Sequence, residues 1–145
     1  MKKTFLMTLL ALSAALLQDA SAQGTSAPEK EEMATIIFIR ATGHPGSATA
    51  FTTFIDDNLV CRLNNKRFST HSVPPGEHTI SVQFAGKDSK EKAERIKIKT
   101  DAGKTYYVQL IIQQGLWMNN VFCQEVTENS ANLLLPKLKE DTKCL

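Results

Sequence analysis

The chain has 145 residues, of which 42% are hydrophobic, 22% charged and 7% aromatic, and its formal net charge is +2. This composition is typical of one soluble globular domain. It excludes a multidomain enzyme on length and a disordered chain on apolar content. Three cysteines are too few for a cysteine-dense miniprotein. Basic residues form no block, so we expect no nucleic-acid partner.

Residues 1–22 have the organisation of a secretory signal peptide. Lys2 and Lys3 precede an apolar run at 5–17, and the Ala-Ser-Ala segment at 20–22 offers a cleavage site. The run is shorter than the ~20 residues that a membrane-spanning helix needs. No cysteine stands at the cleavage point, so the lipoprotein signal is absent. We therefore expect a periplasmic or secreted product with no membrane span after cleavage.

The remainder divides into two parts. Residues 23–33 are small, polar and charged, which is typical of a flexible leader. Residues 34–145 contain no internal repeat and no second linker, so they are interpreted as a single domain with a C-terminal tail.

Short apolar or alternating segments follow, separated by clusters of Gly, Pro, Asn and Asp, and this spacing indicates antiparallel β structure. Residues 36–39 form a continuous β-branched and aromatic run, which suits a strand covered on both faces. The predicted strands lie at 36–39, 50–55, 59–63, 67–73, 78–85, 96–99, 105–113 and 117–126.

Two turns are well marked. The Asp-Asp-Asn cluster at 56–58 predicts a hairpin, because these residues tolerate left-handed backbone. Alternation beyond it places Leu59, Cys61 and Leu63 on one face and Val60 on the other. The Pro-Pro-Gly cluster at 74–76 ends the next strand, since proline cannot donate to a ladder.

One short helix is predicted near the end, capped by Thr127 or Ser130 and limited by Pro136. Long helical crossovers are absent, which disfavours an α/β fold. The predicted fold is therefore all-β: an antiparallel β-sandwich, immunoglobulin-like or prealbumin-like, with seven to eight strands and a short C-terminal helix.

Three segments carry a resemblance to a known family: FIDDN at 54–58, VPPGEH at 73–78 and AGKTYYV at 102–108. In this order they resemble the DUF2846 family of exported bacterial proteins, over residues 34–135. The middle segment also resembles a PEGA-type proline-glycine segment. Asn58 departs from the glycine usual in the family, and the lipoprotein cysteine of many relatives is missing. The resemblance implies an envelope-associated β-sandwich with no established catalytic residues.

Two ligand-binding motifs fail on inspection. Gly103-Lys104-Thr105 lacks the first glycine of a P-loop, whose place Ile98 occupies, and it leads into a predicted strand. The possible metal ligands are His44, His71, His78 and Cys61. They lack the close paired spacing that is typical of zinc or copper sites in a sequence. We expect neither a metal nor a cofactor.

No catalytic residue is predicted. Serines lie near histidines at positions 69, 72 and 81, but no nucleophile elbow or orienting third group accompanies them. Asp56 and Asp57 are assigned to the hairpin. His78 is assigned to the support of the turn at Gly76 or to the edge of its strand.

Trp117 and Tyr107 are the candidates for a recognition surface, because amphipathic aromatic side chains supply large contact area. Alternation places Tyr106 and Tyr107 on opposite faces, so one is expected in the core and the other exposed. For Trp117, core packing is the competing interpretation.

Three cysteines, Cys61, Cys123 and Cys144, allow one disulfide and one remaining thiol. All three pairings are open. A bond from Cys144 to either of the others would fasten the tail to the sandwich, and an exposed third thiol would support an intermolecular link.

The leading hypothesis is an exported, non-enzymatic domain that acts as a binding or structural accessory of the bacterial cell envelope. Its partner would be an envelope protein or a glycan, contacted through the loops at 43–46 and 86–94 or through strand edges. The alternative is a small secreted enzyme or enzyme inhibitor whose site is built from distant loops. A third hypothesis, metal carriage, predicts bound metal that is lost in His78→Ala. The oligomeric state stays open.

Overall fold

The computed structural model describes residues 32–44, 46–84, 87–88, 95–115 and 120–144. The predicted signal peptide, the leader up to residue 31 and Trp117 lie outside the described residues. The strands are β1 (Ala34–Arg40), β2 (Phe51–Ile55), β3 (Asn58–Leu63), β4 (Arg67–Val73), β5 (Gly76–Phe84), β6 (Lys87–Asp88), β7 (Ile96–Thr100), β8 (Thr105–Gln113), β9 (Asn120–Val126) and β10 (Lys139–Glu140). One helix, α1 (Glu128–Leu134), and a 3-10 turn (Leu135–Lys137) precede β10.

These strands form a β-sandwich, as predicted. The first sheet has the order β10-β4-β1-β8-β9, and the second has the order β3-β2-β5, with β6 and β7 both paired to β5. Within the described ranges, eight strands have at least five residues, and β6 and β10 have two each. One hydrophobic cluster fills the space between the sheets, with Phe38, Leu110 and Val121 from the first sheet and Phe51, Leu63, Ile80 and Ile98 from the second.

The predicted pairing was wholly antiparallel, and here the structure differs. β1 runs parallel to β8, and β10 runs parallel to β4. A parallel neighbour requires a crossover, which in α/β proteins is a helix. In this sandwich the chain crosses over through the second sheet before it returns to β8, so no helix is needed.

The hairpin predicted at 56–58 is confirmed. Asp56 and Asp57 occupy the two turn positions with φ of 51° and 62°, and Ile55 pairs with Asn58. Both residues are therefore in the left-handed region that a two-residue type I′ turn requires.

A bulge in β3 corrects the predicted face of this strand. The pairing shifts between Thr53 and Phe54, which leaves Val60 as an extra residue on β3. Leu59 consequently lies opposite Phe54 on the outer face, whereas Val60 packs against the core. The prediction for Leu59 and Val60 was wrong because a bulge reverses the alternation, while that for Cys61 is confirmed.

The C-terminal helix is also confirmed. Thr127 is the N-cap of α1, and its Oγ1 accepts a hydrogen bond from the Ser130 backbone N–H. Pro136 lies in the 3-10 turn that follows the helix. No helix among the described residues is long and apolar enough to cross a bilayer.

Residues 127–144, called the strap below, cross the outer face of the first sheet. They start at β9 on one edge, contact β8 through α1, and end beside β4 on the opposite edge through β10. The inner face is filled by the core, so this route must lie outside. Ile39 and Ala131 are fully buried although neither belongs to the core cluster between the sheets. The strap therefore covers the outer side of β1, as the continuous apolar run predicted.

A disulfide fastens the end of the strap. Cys61 on β3 is bonded to Cys144, 83 residues further along the chain. This is one of the pairings that the sequence left open. Cys123 is 4% exposed on β9, so it is not the exposed thiol that an intermolecular link requires.

The bulge leads to a test in a pair of adjacent residues. We expect Val60→Ser to lower the free energy of unfolding by about 1 kcal/mol, since a half-buried apolar side chain leaves the core. Leu59→Ser, on the outer face, should cost less. Urea unfolding of both variants measures the difference. An equal or larger loss in Leu59→Ser would contradict the assigned bulge.

Candidate binding groove

An open groove of about 490 Å³ lies where β1 and β8 end side by side. Ala41 and Thr42, which follow β1, form one wall, and residues 109–114 form the other. The parallel register pairs Arg40 with Leu110, so the chain beyond β1 continues beside the last residues of β8. The groove therefore depends on the one long parallel pair that the sequence did not predict.

Uncharged groups line this groove. Val108 and Leu110 are buried in the core, so alternation turns Gln109, Ile111 and Gln113 to the outer face. Three glutamine amides supply hydrogen-bond donors and acceptors, together with short apolar side chains. None of the lining residues in the described part of the chain is ionisable.

Arg40 holds the end of β1 from inside the sandwich. It alternates with Ile36 and Phe38, and its side chain is fully buried. The guanidinium donates to the Leu63 carbonyl oxygen at 2.6 Å and to the Gly46 carbonyl oxygen at 2.7 Å. Its carbon lies 3.6 Å from the centroid of the Phe51 ring, a cation–π contact. One side chain thus joins β1, β2, the end of β3 and the loop at 41–50.

The charge on Arg40 has only uncharged partners among those described. Burial lowers the pKa of Arg40 to about 10, because water no longer solvates the cation. At neutral pH the group is still protonated. Carbonyl oxygens and the aromatic face must therefore replace the lost hydration.

Asn65 fixes the Thr42 wall of the groove. Its Oδ1 accepts hydrogen bonds from the Thr42 backbone N–H at 3.1 Å and from the Thr42 hydroxyl at 3.2 Å. Its Nδ2 donates to the Gly43 carbonyl oxygen at 2.7 Å. The Arg40 Nε donates to the Thr42 hydroxyl at 3.4 Å, so this wall is held from both sides.

Gly46 is required where the loop passes over the core. Its φ is +66°, a region that side chains disfavour, and a Cβ there would lie 3.0 Å from the Ile112 Cδ1. The close approach brings the Gly46 carbonyl oxygen within reach of Arg40.

A histidine–aspartate pair lies at the opposite end of the sandwich. The His78 Nδ1 lies 2.6 Å from the Asp56 Oδ2, and its Nε2 lies 2.8 Å from the Pro74 carbonyl oxygen. Both partners only accept, so both ring nitrogens donate when the ring is protonated. His78 therefore links the hairpin turn to the Pro-Pro-Gly turn, as one of the two predicted structural roles required.

The pKa values of this pair move in opposite directions. For His78, desolvation by burial is the largest single effect and lowers the pKa, but the hydrogen bonds to Asp56 and Pro74 and the Asp56 charge together raise it above its ordinary value. For Asp56, desolvation raises the pKa, and the His78 contact and the Thr79 backbone N–H together lower it below the ordinary range. The two charged forms stabilise each other.

The other histidines do not join this pair. His44 is exposed in the loop at the groove end of the molecule, far from His78. The His71 Nε2 lies 3.0 Å from the Ser69 Oγ, and Ser69 is 1% exposed. Across the described ranges, no three His, Cys, Asp or Glu side chains come together as metal ligands would.

Of the predicted aromatic surface, the structure describes Tyr107 but not Trp117. Tyr107 is half-buried on the outer face of β8, and both burial and the nearby Glu128 of the strap raise its pKa. Tyr106 is also half-buried and packs against the core. The prediction that one tyrosine is in the core and the other exposed is therefore correct for the faces but not for the exposure of Tyr107, because the strap covers part of the outer face. Their role in recognition stays a prediction. Most of the predicted 86–94 loop lies outside the described residues.

Sequence reasoning missed Arg40 and Asn65. Arg40 had a visible signal, since it stands two residues after Phe38 on the face that becomes the core. Asn65 was assigned to a turn only, and its contacts with Thr42 cross 23 positions of sequence, which no local pattern reveals.

The family described as "Protein of unknown function (DUF2846)" matches residues 30–124. The chain belongs to the DUF2846 family. The match spans β1 to most of β9, so both walls of the groove fall inside the DUF2846 region. An "Uncharacterized protein" of Haemophilus influenzae is 24% identical over 127 residues, which cover 86% of this chain and 70% of that protein.

Arg40 leads to a prediction on stability. We expect Arg40→Lys to lower the free energy of unfolding by about 2 kcal/mol or more, because an ammonium group cannot reach both carbonyls and leaves a buried acceptor unsatisfied. Arg62→Lys, at an exposed site on β3, should change it by less than about 0.5 kcal/mol. Chemical denaturation measures both. A loss below 0.5 kcal/mol in Arg40→Lys would contradict the proposed role.

His78 leads to a prediction on pH dependence. The pKa of His78 is raised in the folded protein, so protonated His78 stabilises the fold. This stabilisation is fully present below the unfolded-state pKa of about 6.5 and is lost as the pH rises from there through the folded-state pKa. We expect the free energy of unfolding to fall over this window in the native protein and to fall less in Asp56→Asn.

The control for this titration is His71→Asn. Burial lowers the pKa of His71, so the contribution of His71 to the free energy of unfolding increases with pH. That increase is complete by about pH 6.5, the unfolded-state pKa of histidine. The decline at higher pH should persist in this variant. Its disappearance there would show that His78 is not the responsible group.

Proposed function

We propose that the protein is an exported, non-enzymatic binding domain of the bacterial cell envelope, and that its groove binds a neutral glycan chain. The observation that carries this proposal is the lining of the groove, where the described residues combine amides and short apolar side chains with no ionisable group among them. An anionic or cationic ligand would find no counter-charge among these lining residues.

The groove chemistry suits carbohydrate in two respects. A glutamine side chain both donates and accepts hydrogen bonds, and a sugar hydroxyl does the same, so Gln109 and Gln113 match a row of hydroxyls. The methyl groups of Ala41 and Ile111 suit the C–H faces of sugar rings. Asn65 and Arg40 hold the Thr42 wall before any ligand arrives, which reduces the ordering cost of binding.

Several features support export. The sequence of residues 1–22 has the order of a signal peptide, and a disulfide is typical of an oxidising compartment. The family resemblance implies an envelope setting. The PEGA-like character of residues 73–78 stays a prediction; in this structure the segment forms the turn that His78 supports.

The enzyme hypothesis is weaker. Both His78 nitrogens are occupied by Asp56 and Pro74, so the ring is not free to act on a substrate. Ser69 is adjacent to a histidine nitrogen but is 1% exposed, which bars a substrate from its hydroxyl. These contacts favour a binding role over catalysis.

Binding to neutral glycans tests the proposal. The mature chain would be titrated against soluble neutral polysaccharides, with calorimetry as the readout. We expect Gln109→Ala/Gln113→Ala to weaken binding about tenfold, because two neutral hydrogen bonds of ~0.5–1.5 kcal/mol each are removed.

The matched control is Asn58→Ala, which removes an exposed amide in the hairpin at the opposite end of the sandwich, away from the groove. It should leave the affinity within about twofold of the native value, a difference below about 0.5 kcal/mol. Failure of the native chain to bind any neutral glycan, or equal losses in both variants, would refute the assignment of the groove.

A further inference from the structure

The strap shares its surface with the groove. Gln109 and Ile111 lie on the outer face of the first sheet, and the strap crosses this same face where it covers Ile39. Ile39 pairs directly with Gln109 in the parallel register. The groove is therefore the open continuation of a surface whose remainder lies under the strap.

Most non-covalent contacts of the strap are exposed: the Arg67 Nη1 donates to the Glu140 carbonyl oxygen at 3.3 Å, and the Thr70 hydroxyl donates to the Glu140 Oε1 at 3.4 Å. In α1 only Ala131 is fully buried, and Leu133 is 72% exposed. The strand β10 has two residues and adds backbone hydrogen bonds from Lys139 to the Lys66 carbonyl oxygen at 3.2 Å and from Asp141 to the Phe68 carbonyl oxygen at 2.8 Å. A two-residue edge strand contributes little cooperative stability of its own.

Asp141 makes the ionic contact between the strap and β4. The side chain of Asp141 is 7% exposed, and its Oδ2 is buried without a hydrogen-bond partner. The Arg67 Nε lies 4.0 Å from this oxygen, beyond hydrogen-bond distance. The opposite charges attract at this distance, but the oxygen has no hydrogen-bond partner, so this contact is weak and the covalent bond at Cys144 is the strongest attachment of the strap.

The disulfide is accessible from one side only. Cys61 is 1% exposed, whereas Cys144 is half-buried at the surface. A dithiol reductant would attack the Cys144 sulfur as a thiolate, forming a mixed disulfide while Cys61 leaves as a thiolate and takes up a proton. The second thiolate of the reductant then displaces Cys144, so the reductant is oxidised to its disulfide and the protein gains two thiols.

The core does not depend on the strap. The buried residues of the core cluster all lie between Ala34 and Cys123, and from the strap only Cys144 packs against this cluster. Ile39 and the strap residue Ala131 are both fully buried but lie outside this cluster.

We propose that the Cys61–Cys144 disulfide is a redox latch, and that its reduction by a dithiol releases the strap from the outer face of the first sheet while the sandwich stays folded. Release exposes Ile39 and the edge of β4. If the groove binds a glycan as proposed above, release also lengthens the binding surface; that consequence alone rests on the proposed function.

Hydrogen exchange followed by mass spectrometry tests the latch on the intact protein. The folded, oxidised chain would be compared with the same chain after treatment with dithiothreitol, and with Cys144→Ser. We expect peptides from residues 127–144 to exchange at least tenfold faster in the reduced protein and in the variant. Peptides from β2, β5 and β7 should keep their protection.

The control is Cys123→Ala, which removes the remaining cysteine outside the bond and should leave the strap protected in the oxidised protein. Unchanged protection of residues 127–144 after reduction would overturn the latch, and so would simultaneous loss of protection in every strand. No ligand is present in this experiment, so a failure of glycan binding does not affect its result. Conversely, a latch that fails here leaves the groove variants Gln109→Ala/Gln113→Ala as the separate test of the proposed function.

Discussion

A guanidinium removed from water organises the groove end of this sandwich. Arg40 is a cation surrounded by two carbonyl oxygens, a hydroxyl and the face of Phe51, with no carboxylate among its described partners. Burial of such a charge is costly unless its donors are satisfied, so the surrounding loops must hold their carbonyl oxygens where the guanidinium reaches them. The positions of Gly46 and Leu63, and through Thr42 the wall of the groove, follow from that requirement.

At the opposite end of the sandwich, the buried charge is that of protonated His78. His78 is largely buried, but a carboxylate faces it, so its charged form is stabilised rather than merely tolerated. Stability at that end therefore depends on pH in the range where histidine titrates, whereas the Arg40 end stays charged throughout the neutral range. The Arg40 end therefore keeps its contacts unchanged through the neutral pH range, whereas the contacts that join the two turns at the His78 end depend on pH.

The strap connects these features to the chain terminus. It gives β1 a cover on its outer side and leaves part of the same face open as the groove. Its only covalent attachment to the sandwich beyond the chain itself is the bond to Cys61, at the far edge of the second sheet. In the latch proposed above, this bond decides whether the covered part of the surface becomes accessible.

The sequence by itself determined the features that depend on local interactions. The turns at 56–58 and 74–76 and the Thr127 cap depend on neighbours a few positions apart, and the structure confirms them. The bulge at Val60, the parallel pairing of β1 with β8, the groove and the choice of Cys61 for Cys144 were decided only by the tertiary structure. Each of these requires residues far apart in the chain to meet, and that meeting depends on how two complete sheets pack, which no local pattern encodes.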